Sequence, residues 1–274
     1  MLLFVEGIPG SGKTTQAAKL ADRYSRQGFD VVCCREHSPR NPLDLTRKAV
    51  LDDRSYKSIV GSVISQLKDS KASHEDLMAF ERQLGFATME FSDWHIVSYL
   101  HLDLPECIGS DSLQNLRSYE VCDGRATAKE YESLIQALFR SFSKKCLSDA
   151  IYIFDGTLMQ NILFELLGQH MYSLTELKRF YLELLSPFEG MDVRVHFIEV
   201  KNVPERFKDV TDHRKNEHWA QRIDNWYQNT SWSNARSAIG DTIIDYLCHQ
   251  QIITKHLVTY LANKGAVSSF EIVE

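Results

Sequence analysis

Near the start of the chain, Gly7-Ile8-Pro9-Gly10-Ser11-Gly12-Lys13-Thr14-Thr15 combines glycines, one lysine and hydroxyl groups in a spacing that suits the capture of a phosphate chain. Glycines let successive backbone N–H groups curl around an anion without Cβ clashes, and a helix N-terminus behind them adds about half a positive charge. Lys13 is then placed to reach β- and γ-phosphates, and the Thr14 hydroxyl to ligate Mg²⁺. The candidate ATP-binding residues are Gly7, Pro9, Gly10, Ser11, Gly12, Lys13, Thr14 and Thr15. A glycine-rich turn with a surface lysine is the bland alternative. It leaves the flanks unexplained: residues 2–5 form an apolar run that reads as a buried strand, and Ala17, Leu20, Ala21 and Tyr24 recur at helical spacing before Gly28. No third glycine follows Gly10-Ser11-Gly12, so a dinucleotide fingerprint is set aside.

A second chemistry-bearing residue closes Ala150-Ile151-Tyr152-Ile153-Phe154-Asp155. A carboxylate at the end of an apolar β-run is where phosphate-loop proteins hold Mg²⁺ or its waters. Thr14 and Asp155 are therefore the candidate metal ligands, and Lys13 and Asp155 candidate catalytic groups. Arg35-Glu36-His37 leaves another strand, at residues 29–34. Charged residues at that end of a parallel strand face the ligand crevice of an open sheet, or simply make a polar exit. Asp123 and Arg125 flank Gly124, as a substrate clamp or as a turn with an exposed ion pair.

The elements that must position these groups follow from periodicity. Strands are expected at 2–6, 29–34, 150–155, 192–200 and 268–273, with helices between them. Residues 40–148 read as a long, mainly helical insertion before the third core strand. Within it, Leu77, Phe80, Leu84, Ala87, Phe91 and Trp94 recur at steps of three and four, predicting one amphipathic helix over roughly 75–101. His95, Tyr99 and His101 lie off that stripe, where they either line an acceptor pocket or pack. Residues 119–123 suggest a short extra strand, and Thr127 caps a helix running through 147. Further helices are expected at 157–171 and 173–186, and after the fourth core strand residues 201–216 are polar and basic. Trp219, Ile223, Trp226 and Tyr227 then repeat helically, as packing under that segment or as a base-stacking platform, and helices run to about 263.

Phe4-Val5-Glu6-Gly7-x-x-Gly10-Ser11-Gly12-Lys13-Thr14-Thr15-Gln16 resembles the opening of thymidylate kinases. Cys34-Arg35-Glu36-His37-Ser38-Pro39 resembles the Thr-Arg-Glu-Pro turn after their second strand, with the proline displaced. Deoxynucleoside kinases share this layout. The close match covers about the first forty residues. The resemblance implies that Glu36 is the acceptor-hydroxyl base or a ligand of Mg²⁺ waters, and that Arg35 holds a phosphate or the transferring group. It also implies a lid at 201–216 whose Arg206 and Arg214 close over the transferred phosphoryl, where a bidentate, permanently charged fork suits phosphate oxygens; the bland alternative is a solvated basic loop. Arg82, in Phe80-Glu81-Arg82, faintly resembles an acceptor-binding arginine of that family. The family places an arginine directly after the Asp155 position; Gly156-Thr157 stands there instead, with Arg125 or Arg82 as candidate replacements. The candidates for acceptor binding are thus Arg35, Arg82, His95, Tyr99, Asp123 and Arg125.

Composition bounds the rest. The chain has 274 residues and a net charge of −6, so general attraction to nucleic acid or anionic membrane is not expected. No apolar run approaches the roughly 18 residues of a membrane helix, and no basic segment precedes the first apolar run as a signal peptide would require. Six cysteines without a Cys-x-x-Cys pair, two of them adjacent in a strand where buried thiols are common, suit a reduced cytoplasmic setting. There is no His-Glu-x-x-His pattern to suggest zinc. The expectation is an α/β P-loop NTPase three-layer sandwich: one domain over 1–274, a parallel sheet of about five strands, a helical acceptor-binding insertion at 40–148, and a lid at 201–216. Its expected activity is transfer of the γ-phosphoryl of ATP, with Mg²⁺, to a small-molecule acceptor, foremost a nucleoside or nucleoside monophosphate. The competing expectations are a switch-type NTPase without an acceptor, or a kinase of another metabolite, an antibiotic or a polynucleotide end. Asn263-Lys264-Gly265-Ala266 lacks the aspartate that would read guanine, which disfavours a GTPase.

Overall fold

The computed structural model of the chain describes residues 1–69, 73–91, 94–102, 115–147, 149–215 and 218–273. It divides into two units, one formed by Met1–Glu36 with Phe142–Glu274 and the other by His37–Ser141.

The first unit is built outward from β1 (Leu2–Gly7), whose six residues are all buried, as a strand covered on both faces must be. It pairs in parallel with β6 (Ala150–Asp155) and with β7 (Val193–Ile198). β2 (Asp30–Cys34) and β8 (Ser269–Val273) complete a five-stranded, wholly parallel sheet in the order β2-β6-β1-β7-β8. Strand alternation sends Leu3, Val5, Ile151 and Ile153 to the face covered by Ala17 and Leu20 of α1 (Lys13–Arg26). Phe4 and Phe154 stack on the opposite face at 5.0 Å, and Phe142 meets Phe154 edge-on at 5.5 Å. The result is α/β, a five-stranded parallel sheet flanked by helices. β2 is an edge strand, so Cys33 is exposed and Cys34 alone of the pair is buried; the adjacent thiols do not share the buried setting expected of them.

After β6 the chain forms α5 (Gln160–Leu163), which runs into a π-helical turn at Phe164–Gln169. α6 (Leu174–Leu185) follows, opened by a capping box in which Ser173 and Glu176 satisfy each other's backbone N–H groups. Residues 203–213, expected as part of a polar flap, are helical: α7 (Val203–His213). Asn202 caps it by accepting from the Glu205 N–H, Pro204 lies in the first turn, and Val203 and Val210 give it a buried side. α8 (Trp219–Gln228), α9 (Ser231–Arg236) and α10 (Ile243–Asn263) precede β8. No helix among the described residues is long and apolar enough to cross a membrane.

The second unit departs most from the sequence expectation. It contains a three-stranded antiparallel sheet, β3-β5-β4, made from β3 (Ala49–Asp52), β4 (Thr88–Phe91) and β5 (Trp94–Val97). α2 (Asp53–Asp69) and α3 (His74–Ala87) pack on it through Val63, Leu67, Phe80 and Leu84. The single helix predicted over 75–101 therefore ends at Ala87, where Thr88 turns extended. Phe91 and Trp94, which continue the helical spacing in sequence, are instead a cross-strand pair. Residues three apart satisfy both geometries, and β-branched Thr88 favours the strand. The expected strand at 119–123 reduces to an isolated bridge between Glu120 and Ala49. α4 (Ala128–Lys145) begins as expected behind Thr127, whose hydroxyl and N–H both bond Glu130.

Candidate functional site

The glycine loop joins the end of β1 to the start of α1. Helices α3, α6 and α10 all open with capping boxes. α1 does not: its N-cap is Gly12, with no side-chain cap and no acid in the first turn. Its leading N–H groups are thus left without a side-chain acceptor, the arrangement that binds anions. Gly10 holds a φ of 80°, and a Cβ there would stand 2.9 Å from Val210 Cγ2, so the loop lies against α7 where no side chain fits. On the same helix, the Arg206 Nε donates to the Gly10 carbonyl at 2.8 Å.

Lys13 is buried, and its Nζ donates to the Ile8 carbonyl at 3.0 Å. The Thr14 hydroxyl donates to Asp155 Oδ2 at 2.7 Å, while Asp155 Oδ1 is buried without a partner. Gly156 (φ 65°) follows directly. A Cβ added there would sit 3.1 Å from Lys13 Cε, which explains why this position carries no side chain, arginine included.

Two further layers support these groups. Glu6, with no solvent exposure, accepts from the Leu158 N–H at 2.7 Å and the Gln160 N–H at 3.1 Å. Burial pushes its pKa up to about 7, against the opposing pull of those N–H groups and of Lys13. His196 on β7 lies 3.0 Å from the Gln16 amide through Nε2 and 3.2 Å from Glu271 through Nδ1. That network fits a neutral ring with the proton on Nδ1, and burial holds its pKa down. It fastens the first turn of α1 to β7 and β8.

The first unit thus brings Lys13, Thr14, Asp155 and Arg206 to the loop. Glu36 joins them through Gln160, whose Nε2 donates to Glu36 Oε1 at 2.8 Å and lies 3.6 Å from the Cβ position of Gly156. Pro9 and Ser11 are half-buried in the loop and Thr15 is exposed on α1. Arg214 is exposed just past the end of α7, and Arg35 is exposed beside Cys33. The other candidates belong to the second unit. Arg82 is exposed on α3, and His95 stacks on Tyr56 at 3.9 Å with Asp53 at 3.3 Å. The Tyr99 hydroxyl donates to the buried Glu120, which also pairs with Arg125 at 3.3 Å. Asp123 is exposed with a φ of 62°. Glu6, Gln160, His196 and Glu120 escaped the sequence reading. Only Glu6 carried a signal there: a carboxylate inside an otherwise apolar run.

No family model and no solved structure matches the chain. Among curated proteins, a probable thymidylate kinase from Thermococcus onnurineus (strain NA1) is 38% identical over 65 residues, 24% of this chain and 32% of that protein. The chain therefore spans about a third of the length of the relative that it matches. This likeness supports kinship with a kinase family and nothing finer. Chemically, the site offers uncapped helix N–H groups and a buried ammonium on one side. On the other stands an oxygen-donor pair with one carboxylate oxygen still unpartnered.

Proposed function

We propose that the chain is an ATP-dependent phosphotransferase moving the γ-phosphoryl group to a small molecule, with nucleosides and nucleoside monophosphates as the foremost acceptors. The observation that carries this reading is the hydrogen bond from Thr14 to Asp155, beside a buried Lys13, at the uncapped start of α1. A hydroxyl and a carboxylate with a spare buried oxygen form a hard, all-oxygen donor set that fits Mg²⁺. Bound there, Mg²⁺ would neutralise charge developing on the β- and γ-phosphate oxygens.

The residues themselves do positioning and electrostatic work. The N–H groups of residues 12–15 bind phosphate oxygens, and Lys13 exchanges its carbonyl partner for the β/γ-phosphates. Glu36 accepts the proton of the attacking group. Arg206 and Arg214, within a lid spanning 201–216, stabilise the transferring phosphoryl. In this reading residues 40–148 are an acceptor-binding insertion within one kinase domain, with Arg82, His95, Tyr99, Asp123 and Arg125 as its contacts, and Arg35 holds a phosphate or the transferring group. The local likeness to a probable thymidylate kinase supports the kinase part of this reading.

Incubating the protein with γ-labelled ATP, Mg²⁺ and a pool of nucleosides and nucleotides tests the proposal. Label should pass to an acceptor, and Asp155→Asn should slow transfer by roughly two to three orders of magnitude, the usual loss when one preorganised charge is removed. Transfer at an unchanged rate in Asp155→Asn would contradict the assigned role.

A further inference from the structure

Glu6 is the last side chain of β1 before the phosphate loop, and it has no solvent exposure. Alternation along β1 puts it on the opposite face from Val5 and hence from Asp155 and His196, the register partners of Val5. Its carboxylate accepts from the Leu158 and Gln160 N–H groups, at 2.7 and 3.1 Å. The carbonyls of the same two residues are held from the other side. The Tyr181 hydroxyl of α6 donates to the Leu158 carbonyl at 3.0 Å, and Gln250 Nε2 of α10 to the Gln160 carbonyl at 3.4 Å. All five residues are buried. The turn that carries the chain from Asp155 through Gly156 into α5 is thus clamped between Glu6 and two side chains. Lys13 packs on the start of that turn, its Cε 3.1 Å from the Cβ position of Gly156.

The elements around Glu6 set its charge. Burial disfavours the carboxylate, while the N–H groups of the turn and the Lys13 ammonium of α1 favour it, and its pKa stands at about 7. From α6 it faces the Tyr181 phenol, and β7 places apolar Phe197 in register with it. Tyr246 of α10 acts on Tyr181, and Glu165 on Tyr246, each one step further out. Glu36 is bonded by the Gln160 side chain, on the far side of the clamped turn. Phosphates arriving at the loop would engage the Lys13 charge and bring negative charge of their own. Both changes disfavour the carboxylate form of Glu6. A protonated carboxyl still has an oxygen to accept an N–H, so the turn remains held.

We propose that Glu6 is a positioning residue that draws one proton from the solvent when nucleotide phosphates engage Lys13, so that nucleotide binding is coupled to protonation beneath the loop. The inference rests on the phosphate-binding part of the phosphotransferase reading.

The test is titration calorimetry of the full chain with a non-hydrolysable ATP analogue and Mg²⁺ at about pH 7.5, in PIPES and in Tris, whose ionisation enthalpies differ widely. The difference in heat between the buffers counts protons. Wild type should take up about half a proton more than Glu6→Gln, as a pKa rise of about one unit on binding gives. The coupling favours binding fully below the pKa of the free protein and is lost as pH rises through that of the complex. Between about pH 6 and pH 9, wild-type affinity should therefore fall by up to about tenfold relative to the variant. Equal proton counts for the two proteins overturn the inference while binding itself upholds the phosphate site. No heat and an unchanged melting temperature for wild type overturn both. If Glu6→Gln fails to fold, infrared difference spectra of wild type decide: binding should add the carbonyl band of a buried carboxylic acid, and its absence contradicts the proposal. A purely structural Glu6 would change affinity by one factor at every pH and leave the proton count alone.

Discussion

Glu6 stands in the core without solvent contact, held by two N–H groups from the turn after β6, with its pKa raised from 4.5 to about 7. A raised carboxylate pKa means that the folded state keeps a proton the unfolded chain has lost between these values. Stability from this group is full below pH 4.5, declines as pH rises, and is lost above about pH 7. The whole change is on the order of 3 kcal/mol. Comparing chemical unfolding of wild type and Glu6→Gln from pH 5 to 8 isolates it: wild type should lose stability relative to the variant by that order as pH rises. Parallel pH curves would mean that Glu6 titrates near its ordinary value. Glu6 also shows where sequence reading stops. Its type was visible, but the N–H groups that hold it come from residues 158 and 160. Gln160 and Glu36 likewise gain meaning only once β2 and β6 are neighbours.

At the scale of elements, β1, the loop and α1 were legible because motif, periodicity and stop signal lie within one contiguous stretch. The apolar runs of β6 and β7 were legible for the same reason. The antiparallel sheet of the second unit was not, because Phe91 and Trp94 fit a helical stripe and a cross-strand pair equally well. α7 is the informative middle case. Its polar surface was readable, but its helicity depends on the Asn202 cap and on burying Val203 and Val210. Val210 packs against the Cβ position of Gly10 and Arg206 bonds that residue's carbonyl, so motion of α7 would be felt by the loop. If Arg206 serves the transferring phosphoryl, its contribution belongs to the transition state. Arg206→Ala should then cut phosphate transfer by roughly a hundredfold while ATP affinity stays within a few-fold, and lysine should rescue little because a point charge cannot reproduce the fork. Equal rates for wild type and Arg206→Ala would reduce the contact with Gly10 to packing.

For the molecule as a whole, the first unit carries the parallel sheet and every group of the phosphate-loop site, while the second has its own core around Leu51, Leu67 and Val97. The central claim is that the uncapped start of α1, with Lys13, Thr14 and Asp155, binds the phosphates of a nucleotide. Calorimetry of ATP–Mg²⁺ binding to wild type and to Lys13→Ala tests this most directly. The expected result is saturable binding to wild type, accompanied at a hundred times Kd by about 2.7 kcal/mol of added stability and a melting-temperature rise of roughly 5–10 °C. Lys13→Ala should lose most of both. No heat and an unchanged melting curve for wild type with millimolar ATP, ADP or GTP would contradict it.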